Sequence, residues 1–224
     1  MFVVAIKAKP SMRITLFDNH DSFTWNLAHD LERIDGVVVN VVREGQWSEE
    51  CWEITDALVI SPGPGLPEER EQLMGVIAEA IGRGIPILGV CLGMQALAIH
   101  FGARLLNLSE PLHGRQTRVC VGSEARCCGP LGDMWASCGD DILVGHYHSW
   151  VVDESTLPTF LQVNARNGEG LPMALGHETL PIAGVQFHPE SVLTPEGRQL
   201  LRAWCGAAQR CLAISASNVS LNFS

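Results

Sequence analysis

Ile85-Pro86-Ile87-Leu88-Gly89-Val90-Cys91-Leu92-Gly93 is the stretch on which the reading of the fold turns. The apolar run from Ile85 to Val90 has the length of a strand buried on both faces. From Leu92 to Phe101 the pattern becomes helical, and Gly102 ends it. Cys91 therefore sits on a sharp strand-to-helix turn between Gly89 and Gly93. G-x-C-x-G is the thiol form of the nucleophile elbow, a strained turn whose neighbours cannot be bulky. A thiol there also meets the positive end of a helix and its free N–H groups, which favour a thiolate. Taken alone, these residues suit a buried structural Cys equally well.

Outward from the elbow, the chain alternates strands and helices. Arg13 to Phe17 reads as a strand. Phe23, Leu27, Leu31 and Ile34 fall at helical spacing behind a cap from Asn19 or Asp21. Val37 to Val42 and Ala57 to Ile60 are strands, Glu68 to Arg83 is a helix, and Arg104 to Leu106 is a short strand. This order predicts an α/β fold with an open, mostly parallel twisted sheet flanked by helices. Between about 117 and 187 the chain is strand-like: Thr117 to Val121, Ile142 to Val152, Phe160 to Ala165, Met173 to His177 and Ile182 to Phe187. These are expected as antiparallel additions. A last helix is predicted from Thr194-Pro195, with Thr as its cap and Pro in its first position, to about Cys211. Residues 1–11 read as an extension, with Met12 a second candidate start. Residues 12–211 read as the domain and 212–224 as a loose tail. Both ends are expected to be dispensable for folding.

Composition narrows the function. A chain of 224 residues suits one domain. Its net charge of -10 argues against a nucleic-acid surface, which needs a basic stripe. Hydrophobic content of 46% with 18% charged residues excludes general disorder. No apolar run reaches the roughly 18 residues of a membrane helix. The 8 Cys include no CxxC pair, which removes common zinc and thioredoxin-type motifs. No secretory leader is recognisable, so a cytoplasmic, reducing compartment with free thiols is expected. His146 and His148 are two apart, but no third ligand or carboxylate lies at matching spacing, so no metal site is expected.

A nucleophilic Cys needs a His to take its proton and a third group to orient that His. Gln186-Phe187-His188-Pro189-Glu190 supplies both, after an apolar strand. On an extended segment, His188 and Glu190 fall on one side. Ser61-Pro62-Gly63-Pro64-Gly65 follows another strand, and its glycines allow a backbone N–H to approach a developing oxyanion. All three segments lie at C-terminal ends of predicted strands, where open α/β sheets place their sites.

Together these segments resemble the class I, triad-type glutamine amidotransferases, whose flavodoxin-like glutaminase domain carries a Cys-His-Glu triad. The resemblance implies Cys91 as nucleophile, His188 as general base and acid, and Glu190 as its orienting carboxylate. It implies an oxyanion hole from the N–H groups of Gly63 and Leu92. It also implies glutamine-binding roles for Gly63, Gly65, Gln95, Ser149 and Trp150. Phe17-Asp18-Asn19-His20-Asp21-Ser22-Phe23-Thr24-Trp25-Asn26-Leu27, Leu112-His113-Gly114-Arg115 and Phe187-His188-Pro189-Glu190-Ser191 narrow the likeness. They look like the glutaminase subunit of anthranilate synthase and aminodeoxychorismate synthase. The likeness spans about Arg13 to Cys205. It implies L-glutamine as substrate, a partner in the form of a chorismate-binding synthase subunit, and no cofactor on this chain; magnesium, if used, would belong to the partner. A histidine-pathway glutaminase, a stand-alone γ-glutamyl hydrolase and a non-catalytic scaffold are the rival readings. Met94 departs from the His usual in this branch and matches the histidine-pathway pattern. Residues 122–139, with Cys127-Cys128, match nothing recognisable.

Overall fold

Two four-residue apolar runs make the centre of the sheet, and every residue in both is buried. The computed structural model describes residues 12–221. The strands are β1 (Met12–Asp18), β2 (Val37–Arg43), β3 (Ala57–Ile60), β4 (Ile87–Val90), β5 (Arg104–Val121), β6 (Asp141–Asp153), β7 (Leu161–Asn167), β8 (Pro172–His177) and β9 (Ile182–Val185). The helices are α1 (Thr24–Glu32), α2 (Glu71–Gly82), α3 (Leu92–His100) and α4 (Gly197–Leu221). One sheet holds all these strands in the order β2-β1-β3-β4-β9-β8-β7-β5-β6. From β2 to β9 the pairings are parallel; from β9 to β6 they are antiparallel.

Strand alternation sorts the core into two layers. Ala57, Val59, Leu88 and Val90 pack on the side of α1 and α4, with Leu27, Leu31, Leu201 and Trp204. Leu58, Ile60 and Ile87 face α2 and α3, against Leu73, Ile77, Ala96 and Leu97. Helices on both faces explain why β3 and β4 have no polar side. The parallel crossovers bring the C-terminal ends of β1, β3, β4 and β9 to one edge.

The structure departs from the sequence expectations at several places. β9 is not an antiparallel addition: it pairs parallel with β4 and antiparallel with β8, and so joins the two halves of the sheet. β5 is one long strand from Arg104 to Val121, bent by irregularities at Asn107/Leu112 and His113/Arg115. Those bulges interrupt the alternation, so the sequence shows only the two ends of the strand. Neither Asn19 nor Asp21 caps α1, whose N-cap is Phe23. Asp21 instead turns the chain by accepting from the Phe23 N–H at 2.7 Å. The helix expected from Glu68 is interrupted at Arg70, whose guanidinium reaches back to Glu44 and the Pro64 carbonyl. α4 begins at Gly197, because the Thr194 hydroxyl is engaged elsewhere, donating to the His188 carbonyl at 2.6 Å.

α4 also continues past Cys211 to Leu221, where a loose tail was expected. No Gly or Pro follows Gly206 to stop it. Ser215 and Ser217 donate to the carbonyls of Cys211 and Ala213 and so keep to helical geometry. The expected extension at residues 1–11 lies outside the described residues, as do 222–224.

Residues 213–217 are exposed, so this stretch of α4 adds little to the core. A chain ending at Leu212 is expected to unfold within about 1 kcal/mol of the full chain in a denaturant titration. The elbow is expected to be far less tolerant. A Cβ at Gly93 would lie 2.6 Å from the Ile60 carbonyl oxygen. Gly93→Ala should therefore lower stability by about 1–3 kcal/mol or more, read as a drop in denaturation midpoint. An unchanged midpoint would show that α3 can move off β3 freely.

Candidate active site

Cys91 sits between β4 and α3 with φ 53° and ψ -104°. A non-glycine residue with positive φ is strained, and such strain persists only where the surroundings enforce it. Here the enforcement is close packing. A Cβ on Gly89 would lie 2.5 Å from the Gly93 carbonyl carbon, so the first turn of α3 lies directly over β4. The Cys91 N–H donates to the Val185 carbonyl at 2.8 Å, and the Cys91 carbonyl accepts from the Gln95 N–H at 3.1 Å. The thiol is thereby fixed at the end of two neighbouring parallel strands.

His188 is fixed independently. Its N–H donates to the Gly145 carbonyl at 3.1 Å. Thr194 clamps its carbonyl and accepts from the Gly145 N–H at 2.9 Å. The His188 ring donates through Nδ1 to Glu190 Oε1 at 2.7 Å, and both side chains are almost wholly buried. The segment is a turn rather than the extended run expected: the Ser191 N–H donates to the His188 carbonyl at 3.2 Å. The predicted pairing of His188 with Glu190 still forms, because the turn folds the carboxylate back under the ring. Phe23 and Tyr147 pack on the imidazole with ring centroids at 5.3 and 4.9 Å.

Nε2 of His188 makes no hydrogen bond of ordinary geometry among the described residues, and the group acting on it is the Cys91 thiol. Burial alone would lower the His188 pKa. Hydrogen bonding and charge from Cys91 and Glu190 outweigh burial, and the net direction is upward. A proton on His188 is therefore favoured.

A cavity of about 270 Å³ opens in front of the thiol. Gly63, Gly65, Cys91, Leu92, Gln95, Ser149 and Trp150 all line it. The structure thus brings these predicted residues together from β3, β4, α3 and β6, with His188 and Glu190 beside Cys91. Gly63 has no room for a side chain: a Cβ would lie 2.6 Å from Asn19 Cβ and 3.4 Å from Leu92 Cδ2. Asn19 holds this turn by donating twice to Ser61, from its N–H to Oγ at 2.9 Å and from Nδ2 to the carbonyl at 2.9 Å. Asp18 shapes the loop carrying Asn19, accepting from the His20 N–H and the Thr24 hydroxyl. A larger depression of about 460 Å³, between residues 122–125 and 154–164, contains none of the predicted site residues.

Several contributors were assigned no site role from the sequence. Gln186 lies beside Cys91, with Nε2 3.6 Å from Sγ, and it also accepts from Gln95 Nε2 at 3.1 Å. Gln95 donates to the Trp150 carbonyl at 2.8 Å as well, so its amide nitrogen is already engaged. Tyr147, His148 and His113 also line the cavity. Met94, the departure noted in the sequence, is fully buried against β9, where a Cβ on Gly184 would lie 2.7 Å from its Cγ. His146 and His148 bond to each other, and among the described residues no group of three or more potential ligands forms a metal centre. Cys127 is exposed and Cys128 buried, and all eight cysteines are free. Among the described residues, no helix is long and apolar enough to cross a membrane.

The model of the family "Glutamine amidotransferase class-I" matches residues 15–207. Anthranilate synthase component 2 of Mycobacterium tuberculosis is 37% identical over 205 residues, which cover 88% of this chain and 84% of that protein. Aminodeoxychorismate synthase of Streptomyces griseus is 40% identical over 193 residues, covering 85% of this chain. The chain spans only about a quarter of the length of that relative and of the Azospirillum brasilense anthranilate synthase. Among solved structures, a GMP synthase subunit protein of Thermoplasma acidophilum superposes with a TM-score of 0.79 at 26% identity, covering 92% of this chain and 98% of that one. With the strained thiol, the His188–Glu190 pair and the glycine-lined cavity, the chain belongs to the class-I glutamine amidotransferase family.

Proposed function

We propose that this chain is a glutaminase subunit that hydrolyses L-glutamine and hands ammonia to a chorismate-aminating partner. The observation that carries the reading is Cys91 held at positive φ, facing a His188 that Glu190 orients. Such geometry has a use only if the thiol attacks something. In the reaction, His188 takes the thiol proton and the Cys91 sulfur attacks the side-chain amide carbon. The N–H groups of Gly63 and Leu92 stabilise the oxyanion. His188 then protonates the departing ammonia, leaving a γ-glutamyl thioester. Water, deprotonated by His188, cleaves the thioester to glutamate and restores the thiol. Ser149, Trp150, Gly65 and Gln95 hold the amino-acid end. Glutamine and water balance the reaction, so the chemistry on this chain needs no metal or organic cofactor, and any magnesium acts on the partner.

The pathway reading rests on the curated relatives and on the Asp18–Leu27 segment, which here builds the wall behind Gly63 and His188. Relatives bearing the names anthranilate synthase and aminodeoxychorismate synthase both match, and the chain serves either product or both. A cytoplasmic location follows from the same pathway. Identifying the subunit that co-purifies with this chain separates these products from a histidine-pathway role, and a chain that binds no synthase would favour the stand-alone hydrolase.

Two outcomes are expected. Cys91→Ala should lower glutamine-dependent product formation by at least about 10³-fold, and ammonia-dependent synthesis by the complex should survive. Near-normal turnover of glutamine by that variant would exclude Cys91 as nucleophile. The second outcome concerns coupling, because a free glutaminase would release ammonia to solvent. The Pro62-Gly63-Pro64-Gly65 turn can present its oxyanion N–H or turn it away, and one such donor is worth about 10²–10³ in rate. A partner that binds the presenting state shifts that population. Adding chorismate together with the subunit that binds it should therefore raise glutamate release at least about tenfold, within one donor's contribution. An isolated chain already as fast as the complex would contradict it.

A further inference from the structure

Two buried histidines on β6 are not consumed by the chemistry above, and with both rings neutral their hydrogen bonds permit only one direction. The Trp150 carbonyl oxygen can only accept, so His148 Nδ1, 3.1 Å away, carries a proton. A neutral imidazole has one ring proton, so His148 Nε2 accepts. The atom facing it at 3.2 Å is His146 Nδ1, which therefore donates. His146 Nε2 is left as an acceptor, and the Thr117 hydroxyl, 2.7 Å away, donates to it. The chain of bonds runs from Thr117 to His146 to His148 to the Trp150 carbonyl. A charged ring at His148 would reverse the bond between the two rings and turn His146 to its other tautomer, with Thr117 as acceptor. Both rings are held neutral: burial, then the charge of His188, lowers His146 to about 4, and burial, then His146, lowers His148 to about 3.

Strand pairing does not fix Trp150 fully. β5 pairs Asn107 with Trp150 and Leu112 with His148, so the bulge falls opposite Ser149. At that break the Trp150 carbonyl is held by side chains: His148 on one lone pair and Gln95 Nε2, at 2.8 Å, on the other. Turning the peptide would leave two buried donors unpaired. Gln95 also meets Gln186, which reaches the Cys91 sulfur, so the Trp150 backbone and the thiol share one network. Ser149 is steadied from β5 by His113, whose Nε2 lies 3.4 Å from its hydroxyl.

We propose that Thr117, His146 and His148 form a one-way hydrogen-bond relay that fixes the Ser149–Trp150 backbone as a glutamine-binding wall. The inference rests on the glutaminase reading given above. All three are positioning residues: they set where the wall stands and take no part in bond making. Loss of the relay loosens ground-state binding more than it slows the thiol.

Two measurements test it. In the first, glutamate release is followed across glutamine concentrations, with the chain alone and with the chorismate-binding subunit. His148→Phe keeps a ring but loses the donor, and it should raise KM at least about tenfold with kcat changed less than about threefold. His148→Asn restores an N–H close to the Nδ1 position and should recover most of the lost affinity. A KM within about twofold of the parent, a fall in kcat at unchanged KM, or an Asn variant no better than Phe would each overturn the proposal. The second measurement is made on the unsubstituted protein, so it holds even if His148→Phe does not fold. Nitrogen-15 NMR of the histidine rings at pH 7 should show His146 and His148 neutral with the proton on Nδ1. A proton on Nε2 of either ring, or a doubly protonated ring, overturns the relay. Absence of glutamate release from the unsubstituted complex would overturn the function and the assignment of what the wall binds, whereas the ring tautomers judge the relay separately.

Discussion

The contact on which the rest of the molecule depends is the seating of the first turn of α3 on β3 and β4. Gly93 lies against the Ile60 carbonyl, and Gly89 lies beneath the Gly93 peptide. With no Cβ at either position, the helix begins directly after the single turn residue that ends the strand. That abrupt start forces Cys91 to positive φ, at a cost of about 1–3 kcal/mol in strain. Burial of Leu92, Ala96 and Leu97 against Leu58, Ile60 and Ile87 offsets the cost. The thiol is therefore aimed by packing, and its own side chain contributes little to the aim.

A second constraint brings His188 to the thiol. Cys91 hangs from β9 through the Val185 carbonyl, while His188 follows β9 three residues later and is tied to β6 through Gly145. One strand thus sets the registry of both partners. β9 can do this because it is where the parallel half of the sheet meets the antiparallel half. The junction also carries β6 round to face α3, which closes the cavity with Ser149 and Trp150 opposite Gly63 and Gly65. The polar groups buried in this region are joined to one another: Gln95, Gln186, His146, His148 and the Trp150 carbonyl form a continuous set of hydrogen bonds. A set of this kind is rigid when complete.

Much of the architecture is legible in the sequence because its signals are local. Short apolar runs mark β3 and β4, the helical period marks α3, and two glycines flanking a Cys mark the elbow. The misreadings share a cause, which is competition from distant groups. Thr194 has the chemistry of a helix cap, but its hydroxyl is drawn to the His188 carbonyl and the Gly145 N–H. Glu68 and Glu69 suit a helix start, but Arg70 breaks the helix to reach Glu44 and Pro64. Ile182 to Val185 look alike whether the strand beside them runs parallel or antiparallel, since alternation carries no information about direction.

The sequence by itself determined the alternating α/β order, the expectation that Cys91, His188 and Glu190 stand together, and the need for glycine at 63, 89 and 93. These follow from side-chain chemistry and from backbone freedom, both properties of a residue and its near neighbours. Only the tertiary structure decided that β9 runs parallel to β4, that Gln186 touches the sulfur, that His148 and Gln95 meet on the Trp150 carbonyl, and that Thr117 and His146 line up behind His148. Those contacts join residues up to ninety-five positions apart, such as Gln186 and Cys91. No spacing rule spans such a separation, because the distance is set by how the whole sheet packs and twists around its core.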